Sequence, residues 1–472
     1  MNAVPWTPRS YQLEALEFAL ARYGSGLMLD PGLGKTSTFL AFISVLLERK
    51  AIRRALVVAP MRVAKTVWPV EVQKWKDFNH LKVADLTERT DQQREELLRG
   101  NYDIYVINPE SLYKVINPDQ ATGVAGGSVD NIWGFDLFLA DESTRFADSS
   151  TKRFKALKSV LPHYEYRNIA TGTPTPNGLH QLFGQCYILD FGKALGEYIT
   201  HFRQMYMHPD PFVAYVYNMN PGAGDRIFPK VAHMLLRMRA KDHLEMPELI
   251  NNKIYVKLPP AAQAQYDVFE RKFLITVLDE TIPAFNRASL GVKCRQIANG
   301  FIYSQENKGV GLPIHTAKLD ALGNLLEEMQ GRPLLVMYEF IEDARAIQER
   351  FPHAVSVTGT KDIERVVSDF NSGKIPLLIG HPRSAGHGLN LQESCHDICW
   401  YGVTWDLELW VQAIARLWRQ GQPSAFVTNH IIVAEDTTDD AVLAGMLDKE
   451  ADQNKVDQAL HCLLYTSPSP RD

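Results

Sequence analysis

The chain has 472 residues, of which 45% are hydrophobic and 22% charged. At roughly 100–200 residues per domain this gives two to four folded domains and excludes wholesale disorder. The 50 Lys+Arg and 55 Asp+Glu leave a net charge of -5, which excludes a polybasic coat and leaves room for a local basic groove. No apolar run reaches the ~18 residues of a membrane helix. Met1–Ser10 has neither a basic nor an apolar leader segment. The five cysteines are too scattered for a disulfide framework and fit a reducing cytoplasm.

In chain order, short β-rich runs come first: Gly26–Asp30, Ala55–Ala59, Lys82–Leu86, Asp103–Asn108, Phe135–Asp141 and Arg167–Thr171. Amphipathic stretches separate them, among them Thr36–Lys50 and Thr66–Phe78. Strands alternating with helices predict βαβ units and a parallel sheet, with ligands at the carboxyl ends of the strands. From about Gly178 to Gln305 this rhythm is lost, and the middle reads as mostly helical, Ala261–Leu278 having the clearest helical spacing. From Arg332 the alternation returns. Strands are predicted over Leu334–Tyr338, Ala354–Val357, Leu377–Gly380, Asp397–Tyr401 and Ala425–Val433, and helices over Ile341–Phe351, Asp362–Phe370 and Leu407–Arg419. The expected division is 1–185, 186–313 and 314–450, followed by a helical end, 451–472. Its Ser/Pro-rich tail, Leu464–Asp472, reads as a non-native scar.

Chemistry concentrates first at Leu27–Ser37, where an apolar strand runs through Pro31-Gly32-Leu33-Gly34 into a helical pattern. Gly32 and Gly34 let the backbone curl so that its N–H groups face phosphate oxygens. Lys35 brings a positive charge to the β- and γ-phosphates, and the Thr36 hydroxyl is a ligand for Mg²⁺. The strict G-x-x-x-x-G-K-[ST] pattern is broken, because Leu29 stands at its first glycine. A nucleotide site also needs a carboxylate at a strand end. Asp141-Glu142 supplies one, with Asp141 for the metal and Glu142 for the attacking water. A second pair, Asp279-Glu280, scans as the solvated face of a helix.

Taken in order, these motifs resemble the second helicase superfamily, and within it the Swi/Snf-type DNA-translocating ATPases, especially compact bacterial and phage members. The resemblance runs from about Thr7 to Ile432. It implies an α/β fold of two RecA-like parallel-sheet lobes with a helical insertion between them, and ATP with Mg²⁺ held in the cleft between the lobes. Arg9-Ser10-Tyr11-Gln12 resembles the adenine-reading element, with Gln12 on the base. Pro60, Trp68, Glu71 and Trp75 resemble the next element, where the family touches nucleic acid. Thr171-Gly172-Thr173-Pro174 is similar to the element coupling nucleotide state to the track. Leu236–Asp242, which includes Arg237, Arg239 and Lys241, resembles a basic segment before the turn at Met246-Pro247. Ser384-Ala385-Gly386-His387-Gly388-Leu389-Asn390-Leu391-Gln392 resembles a Gly-rich element near DNA and ATP, with Gly388 and Asn390 towards the nucleotide. Gln412–Gln422 resembles the arginine-finger helix, with Gln412, Arg416 and Arg419 as catalytic candidates. Two positions depart from the pattern: Ser143-Thr144 puts no His at the fourth place of the acidic box, and Ala415 replaces an acidic residue.

Arg416 and Arg419 lie three apart, so a helix would bring both to one side, and a guanidinium fork suits phosphate oxygens. Lys65, Lys114 and Lys361 join Arg62, Arg237, Arg239 and Lys241 as candidates for the DNA backbone. Trp68 and Trp75, seven apart, are expected to share a helix face and to pack in a core. Cys395, His396 and Cys399 form a weaker zinc candidate without a second ligand pair. The leading expectation is a DNA-stimulated ATPase that moves along duplex DNA in the cytoplasm of a bacterium or phage-infected host. The alternatives are a strand-separating DNA or RNA helicase, the motor subunit of a larger assembly, and a nucleic-acid-binding interaction protein with a dead ATPase.

Overall fold

The computed structural model describes residues 3–116, 133–211, 216–278, 284–304, 310–360, 362–385 and 389–466. The chain divides into two compact units. One comprises Met1–Asp210, Ala214–His243 and Ala451–Asp472, the other Pro211–Val213 and Leu244–Glu450.

In the first unit, β1 (Gly24–Leu29), β2 (Ala55–Val58), β3 (Val83–Asp85), β4 (Ile104–Ile107), β5 (Leu137–Asp141) and β6 (Tyr166–Thr171) fall on the runs marked in the sequence. After a short hairpin of β7 (Met207–Pro209) and β8 (Tyr217–Met219), β9 (Leu235–Met238) joins the sheet beside β1. The order is β3-β4-β2-β5-β6-β1-β9, and the neighbours pair in parallel. Every residue of β2, β4 and β5 is buried, which is why these strands read as unbroken apolar runs: helices cover both faces of a parallel sheet. Phe138, Phe146, Ile169 and Leu182 belong to the resulting core.

The second unit has its own parallel sheet, built from β10 (Glu248–Val256), β13 (Leu334–Met337), β14 (Val355–Ser356), β15 (Leu377–Gly380), β16 (Asp397–Trp400) and β17 (Phe426–Ala434), with a separate hairpin of β11 (Phe301–Tyr303) and β12 (Gly311–Pro313). Its order is β10-β17-β16-β13-β15-β14. Trp400 stacks on Trp410 with ring centroids 4.3 Å apart, fixing the helix Leu407–Ile414 against β16. Among the described residues no helix is long and apolar enough to cross a membrane.

The stretch 186–313, read in sequence as a helical insertion, does carry the helices Pro260–Leu278 and Ala284–Asn299. It also lends β9 to the first sheet and β10 to the second, and the boundary between the units falls inside it, at His243/Leu244. Both strands escape a pattern search. β9 is four residues long and holds a buried arginine; β10 is a largely exposed edge containing Asn251, Asn252 and Lys253, residue types poor in strands.

Candidate active site

Strands β5, β6 and β1 are adjacent and parallel, so the segments after their carboxyl ends converge at one edge of the first sheet. β1 delivers the phosphate loop, β5 the acidic box and β6 the Thr171–Pro174 turn.

The phosphate loop runs from Asp30 to the helix Lys35–Glu48. Gly32 and Gly34 have φ of 90° and 74°, a conformation that side chains disfavour. A Cβ on Gly34 would lie 2.4 Å from Gln12 Nε2, so Gln12 is packed directly over the loop. Gln12 is buried; its Oε1 accepts the Arg9 backbone N–H at 3.0 Å and its Nε2 donates to Ser37 Oγ at 3.3 Å. Arg9 itself is exposed. Ser37 Oγ donates to the Gly34 carbonyl, and Leu33 is a fully buried anchor that lends the loop only its backbone. Lys35 Nζ donates to the Leu29 carbonyl at 2.8 Å, so the residue that breaks the glycine pattern supplies the lysine with a backbone acceptor. Thr36 is in the first turn of the helix, where unpaired N–H groups attract anions. Pro31 is partly buried beneath the third segment: a Cβ on Gly172 would meet its Cδ at 3.0 Å.

In the acidic box, Asp141 is the last residue of β5 and is buried. Burial, and then the charge of Glu142, push its carboxyl up to about 6, against the opposing pull of Lys35. Trp68 Nε1 donates to Asp141 Oδ2 at 3.1 Å. Glu142 has φ of 58°, unusual for a residue with a side chain. Its Oε2 accepts the Thr171 hydroxyl at 3.3 Å, and Thr171 Oγ1 in turn accepts the Thr173 N–H at 3.2 Å. The β6 turn thus orients the carboxylate expected to act on water. A buried Asp141 carboxylate with its pKa raised by burial, crowded by Glu142 and facing Lys35, is a donor that a divalent cation would stabilise, so Asp141 fits Mg²⁺, with the Thr36 hydroxyl as the expected second ligand.

Trp68 is where the sequence reading was incomplete. The segment expected as one helix over Thr66–Phe78 opens with a π-turn, Val63–Val67, continues as Trp68–Lys74 and ends with Trp75 extended. The two tryptophans therefore do not share a face. Trp68 is fully buried on Asp141, and Trp75 Nε1 donates to Glu71 at 2.7 Å.

The expected basic track changes most. Arg237, in β9, is 4% exposed: its guanidinium donates to the carbonyls of Met28 (2.8 Å) and Met238 (3.1 Å) and to Asp30 Oδ1 (2.6 Å). Asp30 Oδ2 also accepts the Ala240 N–H at 2.9 Å. Arg237 is thus a strut under the phosphate loop, buried away from any DNA backbone, because its strand lies directly beside β1. Lys65 pairs with Glu88, Arg239 with Asp242 at 2.7 Å, and Lys114 lies 3.7 Å from Asp91. Arg62 is half-buried and its pKa is lowered by that burial, Lys241 is exposed, and Pro60 is buried. Lys361 and Asp279-Glu280 lie outside the described residues.

In the second unit, the helix expected over Leu407–Arg419 ends at Ile414; Asp406 caps its start, accepting the Leu409 N–H at 3.2 Å. Arg416 and Arg419 therefore sit in the turns that follow rather than on one helix face. Arg416 Nε donates to the Gln412 carbonyl at 2.9 Å and its Nη1 to the Leu389 carbonyl at 3.3 Å. Arg419 donates to Asn390 Oδ1, and burial lowers its pKa. These bonds bring together the two segments expected to serve the nucleotide, Leu389-Asn390 and Gln412–Arg419. Gln412 is buried: its Nε2 donates to Glu408 at 3.2 Å, and its Oε1 has no partner among the described residues. Ser384 is half-buried in the short helix Pro382–Ala385; Gly386, His387 and Gly388 lie outside the described residues. Trp418 Nε1 donates to the Pro247 carbonyl at 2.8 Å, tying the finger segment to the Met246-Pro247 turn.

The zinc candidate dissolves into packing. Cys395 and Cys399 are buried, burial pushes the Cys395 thiol up to about 12, and Cys395 Sγ bonds the carbonyls of Pro333 and Asp397 at 3.2 Å.

Residues 11–299 match the SNF2-related domain, and residues 317–421 match the helicase conserved C-terminal domain. The chain belongs to the SNF2-related family. Among relatives of this SNF2-related chain, putative protein p41 of Acyrthosiphon pisum secondary endosymbiont phage 1 is 31% identical over 468 residues, covering 96% of this chain and 99% of that protein. The DNA repair and recombination protein RAD54B of Gallus gallus is 24% identical over 468 residues, which cover 85% of this chain and 48% of the relative, so the chain spans about half of RAD54B. A solved Sulfolobus solfataricus SWI2/SNF2 ATPase core in complex with dsDNA aligns over 98% of this chain and 95% of its own, with 20% identity and a TM-score of 0.44.

Proposed function

We propose that this SNF2-related chain is an ATP hydrolase driven by DNA, a motor that moves along the duplex by its phosphate backbone without needing to separate the strands. The reading is supported above all by the convergence of Lys35, Asp141-Glu142 and Thr171 at the ends of three adjacent strands, with the Thr171 hydroxyl on Glu142. The SNF2-related family match and the relative named as a DNA repair and recombination protein support DNA as the partner.

In this reading Arg9 and Gln12 receive the adenine, while the N–H groups of the loop Pro31–Ser37 and the Lys35 ammonium bind the phosphates. Thr36 and Asp141 hold Mg²⁺, which when bound neutralises phosphate charge. Glu142, oriented by Thr171, takes the proton of the attacking water. Arg416 and Arg419, with Gln412, Asn390 and Gly388, are the second unit's nucleotide-facing residues, and an arginine finger contributes about 10³–10⁵ in rate. Pro60, Arg62, Thr173, Lys241, Ser384 and Gly386 attend the DNA side. Surface ion pairs such as Lys65–Glu88 and Arg239–Asp242 are worth about 0–1 kcal/mol, so they can exchange a carboxylate for a phosphate when DNA arrives. The phage-encoded relative supports action in the cytoplasm of a bacterial host.

ATP hydrolysis measured in parallel without nucleic acid and with single-stranded DNA, duplex DNA and RNA tests this. Duplex DNA is expected to stimulate most; equal rates in all four refute it. Triplex displacement without strand displacement is expected of a translocase, and strand displacement would make the chain a helicase instead.

A further inference from the structure

The acidic box and the Thr171–Pro174 turn are joined directly by the Thr171–Glu142 bond and also by a second, buried route through Gln185, a residue outside every motif. Ser143 Oγ donates to Gln185 Oε1 at 2.7 Å. Gln185 Nε2 donates to the Pro174 carbonyl at 2.7 Å and to the Gln181 carbonyl at 3.0 Å. Ser143 and Gln185 are both 0% exposed. Gln185 lies on the helix Leu182–Asp190, outside both segments that it links.

The helix is held close enough for this by its neighbour in sequence. A Cβ on Gly184 would lie 2.3 Å from the Phe146 carbonyl oxygen and 2.6 Å from that of Ala147, so the helix backbone rests directly on the turn that follows Ser143. The Gln185 amide is planar and uses three of its four hydrogen-bonding positions, accepting on one side and donating on the other. Flipped, it would set its NH₂ against Ser143 and its oxygen against two carbonyls. Water does not reach the site to replace a broken bond, so a shift of Ser143 either orphans a buried polar group or carries Gln185 and Pro174 with it.

We propose that Gln185 is a positioning residue that transmits displacement between the acidic box and the Thr171–Pro174 turn, and so couples hydrolysis to the track. This rests on the DNA-stimulated reading above. It touches neither nucleotide nor DNA itself.

The test compares the parental chain with Gln185→Leu, Ser143→Ala and the double variant. ATP hydrolysis is measured with and without duplex DNA, together with the KM for ATP and the melting temperature. Gln185→Leu is expected to keep DNA-free hydrolysis within about twofold and its KM, while DNA-stimulated kcat falls about tenfold. Ser143→Ala removes a single hydroxyl and keeps the test valid if the leucine variant folds poorly; it is expected to lose stimulation likewise, and Ser143→Thr to restore it. Because one route is cut either way, the double variant should be no worse than the poorer single. Parental stimulation in both single variants, losses that multiply in the double, or an equal fall with and without DNA overturns the relay. A parental chain that DNA does not stimulate overturns the DNA-driven reading itself.

Discussion

Replacing Asp141 with Asn should stabilise the first unit while ending hydrolysis. Burial and Glu142 hold the Asp141 carboxyl at about 6, against an ordinary value of 3.8. The folded chain therefore binds more protons than the unfolded one between those values. Stability is lost as the pH rises through that window, and the penalty is complete above about pH 6. At 1.36 kcal/mol per pKa unit, the penalty is about 3 kcal/mol at pH 7.5. That penalty is already net of the attraction of Lys35; Asn keeps the shape and the oxygen that accepts the Trp68 N–H but brings an amide that needs an acceptor, so a net gain of about 2 kcal/mol remains. That corresponds to a rise of roughly 4–8 °C in the melting of the first unit. The assay is thermal unfolding of the parental and Asp141→Asn chains from pH 4 to 8, free of nucleotide and metal, with ATP hydrolysis measured alongside. The rise should be full at pH 7.5, shrink below pH 6 and vanish near pH 4. A variant no more stable than the parent at pH 7.5, or a difference independent of pH, refutes the reasoning.

Other residues give sharper contrasts. Arg237→Met removes the strut under Asp30 and should cost about 3 kcal/mol and weaken ATP binding, while the salt slope of DNA binding stays unchanged; a slope reduced by about one would return Arg237 to the track. Lys318 is fully buried, paired with Asp439 at 2.5 Å and bonded to Asn299 Oδ1 at 2.7 Å, so Lys318→Met should cost the second unit about 3–5 kcal/mol in urea unfolding; an unchanged midpoint contradicts this. Arg419→Ala should lower kcat at least about 10³-fold with little change in ATP affinity. Parental turnover would remove Arg419 from the catalytic set.

Apart from β9 and β10, the strands of both sheets were readable because most are buried apolar runs that alternate with helices, and Lys35 and Asp141-Glu142 stood out because phosphate chemistry confines residue types to strand ends. What escaped was decided by partners far away in sequence. Nothing local distinguishes Arg237, whose carboxylate is Asp30 and whose strand lies beside β1, from a surface arginine in a basic segment. Trp68 looked like core and is core, but its indole N–H donates to the Asp141 carboxylate. Gln185 gave no signal, since an isolated glutamine in a helix carries no pattern. The finger segment misled for a different reason: Gln412–Arg419 has helical spacing, yet the chain turns after Ile414, where Arg419 reaches Asn390 and Trp418 reaches Pro247. Two tertiary bonds outweighed a weak local preference.

Most directly at stake is Glu142 as the group that activates water. ATP binding and hydrolysis by the parental chain and by Glu142→Gln, both with duplex DNA, test it. The account expects the glutamine variant to bind ATP nearly as tightly as the parent, because Lys35, Thr36 and Asp141 are untouched, and to hydrolyse it at least about 10²-fold more slowly. Hydrolysis at the parental rate would contradict it.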